Sequence, residues 1–503
     1  MRQIAWPWGI WCVCAIYQPA SGQVTSPQSA SAVQHAFSRM ERLPPAAHAA
    51  CVAPIASGDD ETDEPSHPPL TLPGTSNDFE RRLDEMQRQL SAATEQLEQL
   101  RQTETLDSPP PGFEVDYDGG FVIRPQEAND SPFELKINGR LQLRYTGFKR
   151  NVDVFTDQSG MVFPVRSRND FEVERGRLEF RAVTFDPRLH WYLNIDFDTD
   201  DNHRLVAHDT WVNYEFSDLI DLHVGKSKVP GSRAWLNSSS RTRFADRSMA
   251  TTFFRPDRTI GIWTKGKLAS RLWYEMLVGN GFKTTDLEPE DLDQTFVYSG
   301  SMWWQPLSEF GRGFSDLEYH VAPALQLGHS FTYGDEQAVD GASTLEDTTF
   351  RLSDGTKLVA PGALAPGIAV EAFQVYLYTV DLALKYRGFS FSTEWYFRWL
   401  EGIRGDGPLP LGSLMDHGFY VDAGIFLIPK CLELNSRVSQ VDGLFGDAWE
   451  YSGGVNWYIS GTHRNKLTLD LTALRQNPAS SSSPGLIPGM DGTLVRAQWQ
   501  VAF

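Results

Sequence analysis

From residue 133 to the last residue, apolar and polar side chains alternate with period two in a long series of short runs. The runs predict sixteen strands, at about 135–147, 171–185, 188–198, 206–216, 219–228, 259–268, 270–280, 295–305, 320–334, 372–386, 388–400, 417–428, 431–441, 449–460, 464–475 and 493–503. Even-numbered strands are followed mostly by tight turns, such as Asp186-Pro187, Ser217-Asp218, Arg387 and Pro429-Lys430. Odd-numbered strands are followed by the long segments 148–170, 229–258, 281–294, 335–371, 401–416 and 476–492. Short turns on one side and long loops on the other predict an antiparallel transmembrane β-barrel, turns and N-terminus periplasmic, loops outside. The connection 306–319 breaks the rule, being long on the turn side. The last strand places Val495, Ala497, Trp499, Val501 and the C-terminal Phe503 on one face, and Arg496, Gln498 and Gln500 on the other. Such a terminal strand is expected of an outer-membrane protein.

The period changes upstream. Phe79, Leu83, Met86, Leu90, Ala93, Leu97 and Leu100 are spaced 4-3-4-3-4-3, a heptad seam with polar residues between. It predicts a helical coiled coil over 77–105 that holds subunits together in the periplasm. Residues 1–22 read as a signal peptide, with Arg2 ahead of an apolar run and Ala20-Ser21-Gly22 for cleavage. Residues 23–76, rich in Pro, Ala and Ser, read as a disordered linker, and 106–132 as a second linker. The barrel domain is expected over 133–503.

Composition fits this picture. Apart from the N-terminal segment, no run is apolar long enough for a spanning helix. The 15 Trp, 16 Tyr and 30 Phe suit the aromatic girdles of a membrane barrel. A formal net charge of −20 argues against a nucleic-acid partner. The four cysteines, Cys12, Cys14, Cys51 and Cys431, have no metal-site spacing, so no disulfide framework, metal or cofactor is expected.

One segment opposes the acidic balance. Between the fifth and sixth strands lie Arg233, Arg241, Arg243, Arg247, Arg255 and Arg258, against only Asp246 and Asp257. Folded into a barrel, this loop would form a constriction whose fixed positive charge concentrates anions. Strand alternation would add lumen-facing Lys136, Arg140 and Arg144 on strand one, Arg175, Arg177 and Arg181 on strand two, and Lys265 and Lys267 on strand six. Asp196, Asp209 and Glu215 would oppose them. Lys226, Lys228 and His208 fall on the lipid-facing parity. The structural alternative is that the loop arginines pair with carboxylates and only pin the loop.

Five segments carry a family resemblance: Glu174-Arg175-Gly176-Arg177-Leu178; Val224-Gly225-Lys226-Ser227-Lys228-Val229-Pro230; Asp246-Arg247-Ser248 with Arg255-Pro256-Asp257-Arg258; Gly418-Phe419-Tyr420 through Leu432-Glu433-Leu434; and Gly453-Gly454-Val455-Asn456-Trp457-Tyr458. In order and spacing they resemble the phosphate-selective porin O/P family. The resemblance implies a sixteen-stranded trimeric porin of the bacterial outer membrane whose third loop enters the pore. Phosphate-specific members use a constriction lysine, and this chain has none between Pro230 and Arg258. The expected function is passive diffusion of small hydrophilic solutes with a preference for anions such as phosphate. The partners are outer-membrane lipid, small anions and two further copies of the chain. The alternative is a general diffusion porin tethered to peptidoglycan through the coiled coil. A barrel-type enzyme is the third reading, and no Ser-His-acid motif supports it.

Overall fold

The computed structural model describes residues 81, 84–96, 112–126, 132–199, 205–284, 292–338, 350–481 and 485–503. Residues 84–96 are helical (α1), with Met86 and Leu90 of the heptad seam exposed. The signal-peptide and first-linker readings lie outside the described residues.

A hairpin of β1 (Phe113–Tyr117) and β2 (Phe121–Pro125) comes first. The wall begins with β3 (Phe133–Arg150); the loop after it carries a small hairpin of β4 (Val154–Thr156) and β5 (Val162–Pro164). Then come β6 (Arg168–Thr184), β7 (Asp186–Asp196), β8 (Val206–Ser217), β9 (Ile220–Lys228), β10 (Arg258–Ala269), β11 (Leu272–Gly279), β12 (Val297–Trp304) and β13 (Ala324–Gln337). The wall ends with β14 (Val370–Tyr386), β15 (Phe389–Gly405), β16 (Ser413–Ile428), β17 (Leu432–Gly443), β18 (Gly446–Tyr458), β19 (Asn465–Asn477) and β20 (Met490–Ala502). Each wall strand pairs antiparallel with its neighbours, and β20 pairs with β3 from Gly492↔Arg150 to Ala502↔Arg140. The sixteen wall strands therefore close into a barrel, which leaves no open edge in the wall.

The alternation sorts the two faces. On β20, Val495, Trp499 and Val501 are exposed outward while Arg496, Gln498 and Gln500 are buried inward. On β3, Leu141 and Leu143 are exposed while Arg140, Gln142 and Arg144 are buried. A belt of exposed apolar side chains is unfavourable in water and favourable in lipid. It continues through Val224, Ile260, Ile262, Val278, Val380, Ile425, Leu434 and Leu469.

Three features depart from the sequence reading. Part of the expected linker 106–132 is the β1–β2 hairpin. Phe113, Val115 and Tyr117 alternate into a turn at Asp118-Gly119-Gly120, where both glycines have positive φ. The hairpin extends the sheet below the chain end: β2 pairs with Leu135–Ile137 of β3, just where β20 has stopped, and Phe121 meets the Phe503 ring edge-on at 5.6 Å. Second, Cys431 is disulfide-bonded. The sequence reading expects no disulfide, because spacing along the chain says nothing of which cysteines a fold brings together.

Third, strand irregularities invert the expected facing of several residues. Where β7 pairs with β8 the register slips between Asn194/Asp209 and Ile195/Ala207, so His208 turns into the lumen beside Asp209. The pairing of β3 with β6 skips Glu174, which puts Glu174 and Arg175 both inside. On β9, Gly225 takes φ +138°, and beyond it Lys228 points inward. A Cβ at Gly225 would stand 2.2 Å from the Thr210 carbonyl oxygen. Gly225→Ala should therefore destabilise the barrel by about 1–3 kcal/mol. The check is a lower temperature for the heat-induced gel shift of the folded barrel; an unchanged transition would contradict it.

Candidate pore constriction and lumen

The segment 229–257 between β9 and β10 does not leave the barrel. It enters the lumen and crosses to the far wall. Two short helices form in it, α2 (Arg233–Leu236) and α3 (Met249–Phe254), with a 3-10 turn at Ser239–Arg241 between them. Each begins at a serine N-cap: Ser232 accepts from Trp235 N, Ser238 from Ser240 N and Ser248 from Thr251 N. Carboxylates of the far wall supply the remaining acceptors. Glu394 on β15 accepts from the backbone N–H groups of Arg233 and Ala234 at 2.8 and 3.2 Å. Glu450 on β18 accepts from Met249 N, and Asp470 on β19 from Ala245 N at 2.9 Å. Wall donors reach loop carbonyls in turn: Lys466 to Thr242 O at 2.8 Å, Arg437 to Asp246 O at 3.0 Å and Asn456 to Arg243 O at 2.7 Å. Phe244, Phe253 and Phe254 are buried beneath, with Phe254 stacked on Tyr396 at 5.3 Å. The loop thus seals the half of the lumen bounded by β14–β20 and β3.

The open half lies against β6–β13. It holds a cavity of about 650 Å³ and, beside it, one of about 370 Å³. The larger is lined by ten basic residues (Arg175, Arg177, Arg181, Lys226, Lys228, Arg241, Arg247, Arg255, Arg258, Arg312) and seven acidic ones (Glu179, Asp196, Asp198, Asp209, Asp246, Asp257, Glu275).

The six loop arginines divide by environment. Arg243 is buried against the far wall, donating to Ser390 Oγ at 2.8 Å and Phe314 O at 3.1 Å, with Asp422 and Glu433 each at 3.8 Å. It is placed to pin the loop. Arg233 lies 3.8 Å from Asp381 and stacks over Phe310 and Phe314; it lines the smaller cavity. Arg247, Arg255 and Arg258 line the larger cavity and gather round Trp235, with guanidinium carbons 5.1, 3.9 and 5.3 Å from the ring centre. Lys228 Nζ joins them at 4.7 Å. One indole ring thus has three guanidinia and the Lys228 side chain gathered round it, where ring attraction adds to the carbonyl and carboxylate contacts of the arginines. Arg258 is also bound to Asp209 at 2.8 Å and Arg255 to Asp257 at 3.1 Å. Burial pushes Arg247 down to about 9, with Asp246 opposing and Arg255 reinforcing, so it stays charged at neutral pH. Arg241 lines both cavities.

The wall residues divide likewise. Arg144 and Arg175 are buried in a four-charge network with Glu174 and Asp246: Arg144–Glu174 2.7 Å, Arg144–Asp246 3.1 Å, Arg175–Glu174 3.1 Å and Arg175–Asp246 2.6 Å. Burial would raise the Asp246 carboxyl, but Arg175 and Arg144 outweigh it and hold Asp246 below the usual carboxylate range. Arg140, buried, reaches Ser238 Oγ at 3.4 Å. Arg177 pairs with Asp196 at 2.7 Å and Arg181 lies over Tyr192; both line the larger cavity. Lys265 lies over Trp211 at 5.8 Å and 3.8 Å from Asp221. Lys136 instead binds Asp118 in the β1–β2 hairpin at 3.2 Å, and Lys267 is exposed near the β10–β11 turn. Neither lines the two cavities.

The sequence reading missed Trp235 as the centre of the cation cluster, the wall carboxylates that cap the loop helices, and Arg312. The long 306–319 connection was the available signal for the last. It too folds into the barrel, where Ser315 donates to Glu433 at 2.9 Å and Gly388 N to Asp316 at 2.8 Å. Asp316, Glu318 and His320 cluster closely enough to suggest a metal. Each is engaged otherwise, Asp316 with His320 Nδ1 and Gly388 N, and Glu318 with Lys385 at 3.2 Å, so the cluster fastens the turn.

Residues 136–296 match the sequence model of the family described as phosphate-selective porin O and P. No curated protein is significantly similar in sequence. Among solved structures, the chain is similar to the outer membrane channel DcaP of Acinetobacter baumannii (10% identical, covering 74% of this chain and 97% of that one, TM-score 0.45). It is also similar to the trimer form of OmpT of Vibrio cholerae (10%, 74% and 99%, 0.46) and to Pseudomonas putida OprB (8%, 73% and 94%, 0.44). A closed sixteen-stranded wall with an inward third loop, and the match over residues 136–296, identify the chain as a porin of the bacterial outer membrane that resembles the phosphate-selective porin O and P family.

Proposed function

We propose that this porin passes small hydrophilic solutes by passive diffusion with a preference for anions such as phosphate, and that it catalyses no reaction. The observation that carries the reading is the lining of the open half-lumen. The inward loop brings Arg241, Arg247, Arg255 and Arg258 to a cavity where ten basic residues face seven acidic ones. Fixed positive charge in a narrow aqueous path raises the local anion concentration and repels cations. The test is the zero-current potential of the reconstituted channel across a KCl gradient. The wild type should show anion preference, and Arg241→Gln with Arg258→Gln should reduce it. Arg243→Gln should leave it in place, because Arg243 faces the wall. A wild-type potential of zero or of cation-selective sign would overturn the anion reading and leave a general diffusion porin.

We further propose that 77–105 joins three copies as a parallel coiled coil. The support is that Met86 and Leu90, on the heptad seam, are 67% and 71% exposed on α1. Leu90→Asp should lower the trimer fraction of detergent-extracted protein, read by cross-linking; an unchanged fraction would sink the proposal. Tethering to peptidoglycan is the second use the same segment would serve, read by a pull-down lost on deleting 77–105.

A further inference from the structure

Residues 305–323, between β12 and β13, enter the barrel from the turn side and meet the loop 229–257. Arg243 donates to Phe314 O at 3.1 Å, and the Arg233 guanidinium lies 5.4 Å over Phe310 and 5.0 Å over Phe314. Gly313, at φ +74°, permits the approach: a Cβ there would stand 2.9 Å from Cβ of Arg241. This docking leaves Arg241, from the loop, and Arg312, from the turn, at the junction of the two cavities, both of which they line. Neither guanidinium makes a hydrogen bond or ion pair among the described residues, where the polar contacts of both residues are through backbone groups: the N–H of each, and the Arg312 carbonyl, which accepts from Lys385 at 3.1 Å. After burial, Arg312 is the largest influence lowering the Arg241 pKa. The acid that opposes it most, Glu318, is already paired with Lys385. Ser239, in the same 3-10 turn as Arg241, lines the larger cavity at 5% exposure, and its hydroxyl has no partner. A buried hydroxyl without a partner is costly unless a ligand completes it, and an oxyanion held between two like charges relieves their repulsion.

We infer that Arg241 and Arg312 form a two-arginine oxyanion subsite at the neck between the cavities, with the Ser239 hydroxyl as a further donor. The ligand is a small oxyanion, inorganic phosphate or an organic carboxylate, able to accept charge-assisted hydrogen bonds from both guanidinia at once. Arg312 is then a specificity residue supplied from the periplasmic side, opposite to the loop. The inference rests on the anion-preference reading.

The test is block of chloride current through the full-length channel in planar bilayers, with inorganic phosphate and with succinate as separate probes. The variants are Arg312→Gln, Arg241→Gln, the double variant and Arg312→Lys. Each glutamine variant should weaken block by about tenfold, and the double variant by little more than either alone, because the pair binds as a unit. Arg312→Lys should keep the zero-current potential while weakening block, since an ammonium cannot make the bidentate contact. Block by phosphate alone assigns a tetrahedral oxyanion, and equal block by succinate assigns a carboxylate; both support the subsite. Wild-type anion preference and block that survive Arg312→Gln and Arg241→Gln, yet fall in Arg255→Gln, overturn the subsite and leave the anion reading intact. A wild type with no anion preference overturns that reading itself. Arg312 is exposed on the turn, so its variants should keep the heat-shifted gel band of folded protein.

Discussion

Asp246→Asn should cost the folded channel about 3–5 kcal/mol, among the largest effects of any single side chain. Asp246 is 2% exposed and sits between two arginines of the wall, 3.1 Å from Arg144 and 2.6 Å from Arg175. Glu174 balances the second positive charge, at 2.7 and 3.1 Å from the same two groups. Four buried charges sum to zero; the asparagine leaves one positive charge buried without its counterion. Replacing the whole network by apolar residues could be neutral, but removing one partner leaves the desolvation penalty of the others uncompensated. Asp246 also fixes the loop at its middle, since its carbonyl accepts from Arg437 at 3.0 Å and its carboxylate from Arg247 N at 2.8 Å. Denaturant unfolding in lipid vesicles, followed by tryptophan fluorescence, reads the loss of stability, and single-channel recording should show added open-state noise. Asp153→Asn, at an exposed pair with Arg150, is the control that should barely change either. A loss at Asp246 no greater than the control's would mean the loop is held by its apolar contacts alone.

That network shows what a sequence can and cannot carry. The wall was legible because alternation is a property of each strand by itself: the burial of Arg496, Gln498 and Gln500 against the exposure of Val495, Trp499 and Val501 follows from period two alone. Facing was lost wherever one extra residue entered a strand. His208 turned inward and Glu174 joined Arg175 inside, because a bulge is set by pairing with the neighbour strand; Lys228 turned inward beyond Gly225, where the register does not slip but φ is +138°. Of these, only Gly225 left a local sign. The basic loop was legible as a charge reversal in an acidic chain, but the role of each arginine was not. Arg243 differs from Arg241 by what the fold brings to it, namely Asp422 and Glu433 from β16 and β17. Arg312 was hidden for the same reason: its connection looked like an overlong turn until the backbone showed it folded inward.

The loop should also supply the sign of the channel's selectivity, which makes its removal the largest functional change to expect. Among the buried side chains of β14–β20 and β3, seven are basic (Arg140, Arg144, Lys385, Arg398, Arg437, Lys466, Arg496). Seven are acidic (Asp381, Glu394, Asp416, Asp422, Glu433, Glu450, Asp470). The far wall is therefore balanced, whereas residues 232–256 carry five arginines against one aspartate. Replacing residues 232–256 by a short Gly-Ser linker would open the sealed half of the lumen and let these wall pairs hydrate. A sixteen-stranded barrel without an inward loop encloses a wide aqueous channel. Single-channel conductance should rise severalfold, and the zero-current potential in a KCl gradient should move toward zero. The closed hydrogen-bond ladder from β3 round to β20 does not include the loop, so the barrel should still fold. If conductance rose while the anion preference stayed at its wild-type value, the selecting charges would lie on β6–β10, with Arg177, Arg181 and Lys265 the first to change. If conductance did not rise, the narrowest point would belong to residues 305–323, which the excision leaves in place.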